Sequence, residues 1–417
     1  MLYPLSYEGV SWGWENTSYN NQNPFKMSLN IQALRDDTPG CENVVHFNNA
    51  GAGLMPRPVL EAITDHLNLE AEIGGYEAHA KANAAYQSTY AALETLLGAQ
   101  KGEIALLENA TRAWDQVFYG MKFNSGDRII TAQASYASNY IAMLQRAKNE
   151  GIHIDVIESD EDGQIDLAAL KTAIGPKTRL ICLTHIPTNG GLVNPAKEVG
   201  KVARAHGVPF LLDACQSVGQ VEVNVDEIGC DFLSGTGRKY LRGPRGTGFL
   251  YVRSSSIDLI EPPFLDLHAA VWTQLDTYEM HPDSRRFENW EGYVAGKIGL
   301  GRAVNYLLEV GPEATFSRIV ALAAQLRHSL NVLPGVTVHD IGATKGGIVT
   351  FSHHSVPIQT IKQHLDAQYI NVNLAHPEWA RLDAERRGLP VMIRASVHYY
   401  NTIAEIDQFC EVVRSAS

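Results

Sequence analysis

Cysteine is scarce. The 417-residue chain holds five, Cys41, Cys182, Cys215, Cys230 and Cys410, odd in number and without metal-ligand spacing. That argues against a disulfide framework or a cysteine metal site and leaves reduced core or surface thiols. No apolar run approaches the roughly 20 residues of a membrane-spanning helix. Surplus positive charge is missing too: the net charge of −12 disfavours a nucleic-acid surface. No repeat or low-complexity segment appears. The first residues have neither the basic start nor the apolar stretch of a secretory leader, so a cytoplasmic location is the expectation.

What is present is ordinary globular material. Hydrophobic residues make up 45% and charged residues 19%, enough for two domains and a large buried core. The segment Met1–Pro39 is polar and aromatic-rich, with Tyr3, Tyr7, Trp12, Trp14 and Tyr19. It reads equally as an extended arm or a disordered tail. A short strand at Val44–Phe47 leads into the glycine turn NNAGAGLMP, and helical patterns follow over Pro58–Ile73 and Ala85–Leu97. Strand-like runs at 129–131, 153–157, 180–184, 208–212, 230–233 and 248–252 then alternate with helical stretches. This predicts an α/β fold, a mostly parallel sheet with helices on both faces. The mixed stretch 254–292 reads as a long functional loop. From about Glu313 the pattern predicts a smaller α+β unit. The expected division is an N-terminal arm over 1–45, a large domain over 46–312 and a small domain over 313–417.

Two stretches carry chemistry. Ser234–Phe249 reads SGTGRKYLRGPRGTGF: one lysine, Lys239, among glycines and three arginines, Arg238, Arg242 and Arg245. It lies between two strand-like runs, where a glycine-rich backbone can approach a phosphate closely. Lysine in that setting can form a Schiff base with a carbonyl cofactor; a surface loop of solvated cations is the alternative. Upstream, VPFLLDACQ (Val208–Gln216) reads as a buried strand ending in Asp213, where α/β sheets place ligands. Pyridoxal 5'-phosphate (PLP) needs an acid beside its ring nitrogen, a lysine for its aldehyde and a phosphate anchor. Asp213, Gln216 and Lys239 fit those needs.

THIPTNGGLVNP (Thr184–Pro195), LLDACQSVGQ (Leu211–Gln220) and TGRKYLRGPRGTGFLYVR (Thr236–Arg253) together resemble the class V aminotransferase, or cysteine desulfurase-like, enzymes of PLP fold type I. RFENWE (Arg286–Glu291) and IRASVHYYNT (Ile393–Thr402) extend the likeness, which runs from about Phe47 to the end of the chain. The branch it resembles holds ergothioneine-type C–S lyases and isopenicillin-N-epimerase-like proteins. The resemblance implies a large PLP domain, a small C-terminal domain and a homodimer with shared active sites. It implies cofactor contacts at Ala110, Thr111, Tyr136, Thr188, Asp213, Gln216, Thr236, Arg238 and Lys239, with Lys239 catalytic. It implies substrate contacts at Arg394, Ala50, Gly51, Asn289 and Glu291, with Arg286 a further candidate in a segment that reaches the neighbouring subunit.

Two departures stand out against that family. Tyr136 occupies the place of a histidine that stacks on the cofactor ring; tyrosine can stack but is no near-neutral acid or base. The stretch Asn371–Pro390 holds no cysteine, whereas desulfurases carry a mobile persulfide-forming cysteine there. Cys410 reads as packing, and His376 as an exposed loop histidine or a proton donor. These departures lead to the expectation of a C–S lyase acting on a cysteine S-conjugate or its sulfoxide, giving pyruvate and ammonia, and not of a persulfide-forming desulfurase. Epimerisation or transamination is the alternative. A non-catalytic PLP-fold protein is a third reading, which the intact Lys239–Asp213–Gln216 set opposes.

Overall fold

The computed structural model describes residues 29–416. Of the expected N-terminal arm, residues 1–28 lie outside the described residues. The remainder forms a short helix, Ile31–Asp36, and a 3-10 turn, Pro39–Glu42.

Seven strands build the main sheet: β1 (Ile104–Leu107), β2 (Arg128–Ala132), β3 (His153–Ile157), β4 (Thr178–Thr184), β5 (Phe210–Asp213), β6 (Phe232–Thr236) and β7 (Gly248–Val252). Their order across the sheet is β1-β7-β6-β5-β4-β2-β3. All neighbours run parallel except β7, which is antiparallel to β1 and to β6. β5, β6 and β7 are buried along their whole length, as strands covered on both faces must be. One face packs on helices that include Ala196–His206 and Val294–Val310; the other packs on Ala110–Gly120 and Ala137–Glu150. The mixed sheet between helices agrees with the expected α/β fold.

This topology fixes where chemistry can happen. β2, β4, β5 and β6 end on one edge, and each feeds a loop there: Tyr136 after β2, Thr188 after β4, Asp213 at the end of β5, Lys239 after β6. β1 ends on the same edge, because Leu107 and Thr236 both pair with Gly248. Ligands bind at this carboxyl-end edge in open α/β sheets.

The smaller sheet comprises β8 (Val336–Val338), β9 (Ile348–His353), β10 (Asn373–Ala375) and β11 (Met392–Ser396), in the order β8-β9-β11-β10, all antiparallel. It packs on helices Pro312–Asn331, Ile358–Ala367 and Ile403–Ser415. The last of these starts with a capping box, Thr402 with Glu405, which satisfies two of its free N–H groups. The core of this unit also takes in Leu34, Phe47 and Ala50. Val45–His46 pairs in parallel with Ile370–Asn371.

The 254–292 stretch differs from the expected irregular loop. It holds a hairpin, Ala270–Gln274 with Thr277–Met280. The physical reason is local: valine, tryptophan, threonine and tyrosine favour strands, and Leu275–Asp276 is a two-residue connection that brings them together.

Candidate active site

Lys239, Asp213, Gln216, Thr188, Thr236, Arg238, Tyr136, Ala110 and Thr111 line one cavity of about 420 Å³. A second cavity, of about 350 Å³, adjoins it through shared walls at Tyr136, Thr188, Arg238 and Lys239, and adds Ala50, Gly51 and Arg394. The structure thus gathers twelve of the fourteen expected contact residues, drawn from both sheets.

One end of the inner cavity is a helix N-terminus. The Asn109 side chain accepts from the Arg112 N–H at 2.9 Å and caps Ala110–Gly120, whose buried face carries Ala113, Trp114, Val117 and Phe118. The free N–H groups of such a first turn suit an anion. Gly248 lies directly against this turn: a Cβ there would stand 2.5 Å from the Asn109 carbonyl carbon. No larger residue fits, and the glycine lets β7 and the turn form one cradle.

Asp213 lines the same cavity. Its Oδ2 accepts from Asn139 Nδ2 at 2.8 Å and its Oδ1 from the Cys215 N–H at 3.0 Å. Burial pushes this carboxyl above the usual carboxylate range, against the pull of those donors and of Lys239. Lys239 is buried too, and that burial, with the nearby Arg238 and Arg394, lowers its amine below the ordinary lysine value of 10.5. The neutral amine is the nucleophilic and basic form.

Gln216 donates to the Ala50 carbonyl at 3.1 Å, but its Oε1, although buried, has no partner. Arg394, on β11, reaches over to the large sheet's loops: Nη1 donates to Thr188 Oγ1 at 2.8 Å and to its carbonyl at 3.1 Å. Its Nε is buried without a partner. Burial pushes the guanidinium down to about 10. Unpartnered buried polar atoms are costly, and here both belong to side chains that line the joined cavities.

This arrangement fits PLP. The capped turn with Thr236 and Arg238 offers an anion cradle, Asp213 offers a carboxylate for a ring cation, Gln216 Oε1 offers an open acceptor and Lys239 an amine. The glycine turn is fixed in place: the Gly53 N–H donates to the Arg238 carbonyl at 2.8 Å, Arg238 donates to the Gly51 carbonyl, and the Ala50 N–H donates to Ser396 Oγ at 2.9 Å.

Asn289 and Glu291 line neither of these cavities. They line a separate cavity with Tyr76, His79, His268 and Lys297. Arg286 donates to the His281 carbonyl at 2.8 Å. His376 lies beside Trp379, ring centroids 5.2 Å apart, outside both cavities. Cys410 is buried in the small-domain core.

Sequence reasoning missed several residues. Cys215 was grouped with the structural thiols, yet it lines the inner cavity beside Lys239; its place two residues after Asp213 was the available signal. Asn139 holds Asp213 from 74 residues away, and no local pattern marks it. Of the three arginines around Lys239, Arg242 is structural: it is buried and donates to the Leu54 carbonyl at 2.7 Å, to Tyr399 Oη at 2.6 Å and to Thr38 Oγ1 at 2.5 Å.

With this geometry, comparison with known proteins is direct. The family model for aminotransferase class V matches residues 45–409, and the chain belongs to that family. Its fold is PLP fold type I, and PLP is its cofactor. A probable cysteine desulfurase of Pyrococcus abyssi is 28% identical over 386 residues, 91% of this chain and 96% of the relative. One from Xylella fastidiosa is 29% identical over 396 residues, 91% and 93%. The apo structure of a cysteine desulfurase from Thermococcus onnurineus superposes with a TM-score of 0.87 at 27% identity, covering 94% of this chain and 98% of that one. A cystine C–S lyase in complex with its product cysteine persulfide gives 0.82 at 25% identity, covering 90% and 99%.

These findings correct the functional expectation drawn from the sequence. The S-conjugate or sulfoxide lyase reading, with its epimerase and aminotransferase alternatives, rested on excluding cysteine desulfurases. The relatives that match nine-tenths of the chain are named cysteine desulfurases. The exclusion leaned on a missing thiol in one loop segment and on Tyr136 in place of a histidine, and two side chains weigh little against a shared fold and cofactor.

Proposed function

We propose that this chain is a PLP-dependent carbon–sulfur lyase that frees sulfur from cysteine or its disulfide, cystine. The observation that carries the reading is the convergence of Lys239, Asp213, Gln216 and Arg394 on two joined cavities. The names of the relatives, cysteine desulfurase and cystine C–S lyase, support the substrate class.

In this reading the capped turn at Ala110–Thr111, with Thr236 and Arg238, holds the cofactor phosphate. Asp213 would hold the ring nitrogen's proton, and a cation there would offset the burial of the carboxylate. Gln216, Thr188 and Tyr136, which line the same cavity, would hold the ring through polar and aromatic contacts. PLP supplies an electron sink for charge developing at the substrate's α-carbon. Arg394 takes the α-carboxylate in its planar fork, beside Ala50 and Gly51. That orients the α-proton toward Lys239, whose neutral amine removes it as a general base. Cysteine and its disulfide place sulfur on the next carbon, where the C–S bond then breaks.

The chain acts as a homodimer in this proposal, with the apolar hairpin at 270–280 as part of the contact. Among the described residues no helix is long and apolar enough to cross a membrane. Five unpaired cysteines support a reducing, cytoplasmic setting.

The test is sulfur release from L-cysteine and from L-cystine by PLP-loaded protein, with the three-carbon product identified alongside. Release that Lys239→Ala abolishes is the expected result. A loaded protein that frees sulfur from neither compound overturns the proposal.

A further inference from the structure

The outer cavity is more cationic than one α-carboxylate requires. Arg238, Lys239, Arg245 and Arg394 line it, and no aspartate or glutamate does. In a chain of net charge −12 such a concentration of uncompensated cations selects for anions. Three of the four have work already. Lys239 is the amine. Arg238 also lines the inner cavity, where the phosphate belongs. Arg394 is buried and partnered on one side by Thr188, and in the proposed reading it takes the α-carboxylate.

Arg245 is left over. It lines the outer cavity and not the inner one, so the cofactor phosphate does not account for it. Among the described residues it has no ion pair and no side-chain hydrogen bond, whereas Arg242, three residues earlier, makes three. Gly246, which follows it, has φ +76°, a backbone that glycine adopts readily. Asn48 and Asn373 add uncharged polar groups to the same walls.

We propose that the preferred substrate carries a second anionic group beyond its α-carboxylate, and that Arg245 receives it. The ligand class is an amino acid with a carboxylate, sulfinate or sulfonate at the far end of its side chain; the distal carboxylate of cystine belongs to this class. The inference rests on the proposed reading of the cavity as the amino-acid site, and its test does not depend on sulfur leaving.

The experiment titrates the PLP-loaded protein with unreactive acid and amide pairs, L-aspartate against L-asparagine and L-glutamate against L-glutamine, followed with L-2-aminoadipate against L-norleucine. Binding is read from the cofactor's absorbance. At least one acid is expected to bind about tenfold or more tighter than its uncharged partner, the worth of roughly one charge-assisted hydrogen bond. In Arg245→Ala that ratio falls to near one, and Arg245→Lys retains part of it. Wild-type protein that binds acid and amide equally throughout the panel overturns the inference. So does a ratio that survives Arg245→Ala. Acid preference without sulfur release from cysteine or cystine sinks the proposed function and leaves this inference standing.

Discussion

In the proposed reading Asp213 serves the loaded protein at the expense of the empty one. Its carboxyl lies above the ordinary value of 3.8 because burial disfavours the charge. A raised acid means that the folded chain holds more proton there than the unfolded chain. The penalty is therefore fully present above the folded pKa and vanishes as pH falls below 3.8. Asp213→Asn should accordingly make the cofactor-free protein more stable than its parent at pH 7, by thermal melting, with the gap closing on acidification. In the proposed loaded protein the same change would remove the partner of a buried cation, a loss worth about 3–5 kcal/mol, so sulfur release should fall by about 100-fold or more. An unchanged rate would remove Asp213 from the ring nitrogen. The two arginines near Lys239 divide in a comparable way: Arg242 is buried and hydrogen-bonded into the interior, while Arg245 is exposed on the cavity wall.

At the scale of elements, the cradle depends on β7 passing close to the turn before helix Ala110–Gly120. Gly248→Ala would place a methyl 2.5 Å from backbone, and backbone does not yield as a flexible side chain does. Overpacking of this kind costs about 1–3 kcal/mol. Because the turn lines the inner cavity, the loss should appear mainly as cofactor affinity weakened about tenfold, measured by PLP titration of the apo protein, with a smaller fall in melting temperature. Elements also decide what the sequence could reveal. Asp213 and Lys239 were legible because each stands just past a short apolar run, and strand ends place ligands by rule. Thr188 and Arg394 were found through family motifs, and the structure puts them in contact. Asn139 was illegible, since its partner is distant in sequence and its own surroundings are an ordinary helix start. The hairpin at 270–280 was overlooked although its strand-favouring residues were visible, because polar side chains between them masked the alternation. Arg242 and Arg245 look alike in sequence; only the packing of Tyr399, Leu54 and Thr38 around the first tells them apart.

At the scale of the whole molecule, the site belongs to neither sheet alone. Arg394 stands on the small sheet and is held by Thr188 from the large one, and the glycine turn at 48–53 is tied to both, through Ser396 and Arg238. The hairpin stands apart from this arrangement. Val271, Trp272 and Tyr278 are exposed, Leu275 is 94% exposed, and Phe264, Leu267 and Trp290 add to the apolar surface. Exposed apolar area of this kind marks an interface, and a second copy of the chain is the partner that the proposed homodimer supplies. Asn289 and Glu291 follow the hairpin and line a cavity that Lys239 does not line, so in the proposed homodimer their part at substrate would be in the neighbouring copy's cavity. Trp272→Glu with Leu275→Glu places two like charges on each face of a two-fold contact. The variant should sediment as single copies with its circular dichroism unchanged. Sulfur release should then drop by about 100-fold, the scale of lost positioning. Full activity in single copies would mean that each subunit's cavity is complete, and Asn289 and Glu291 would have no role in binding substrate.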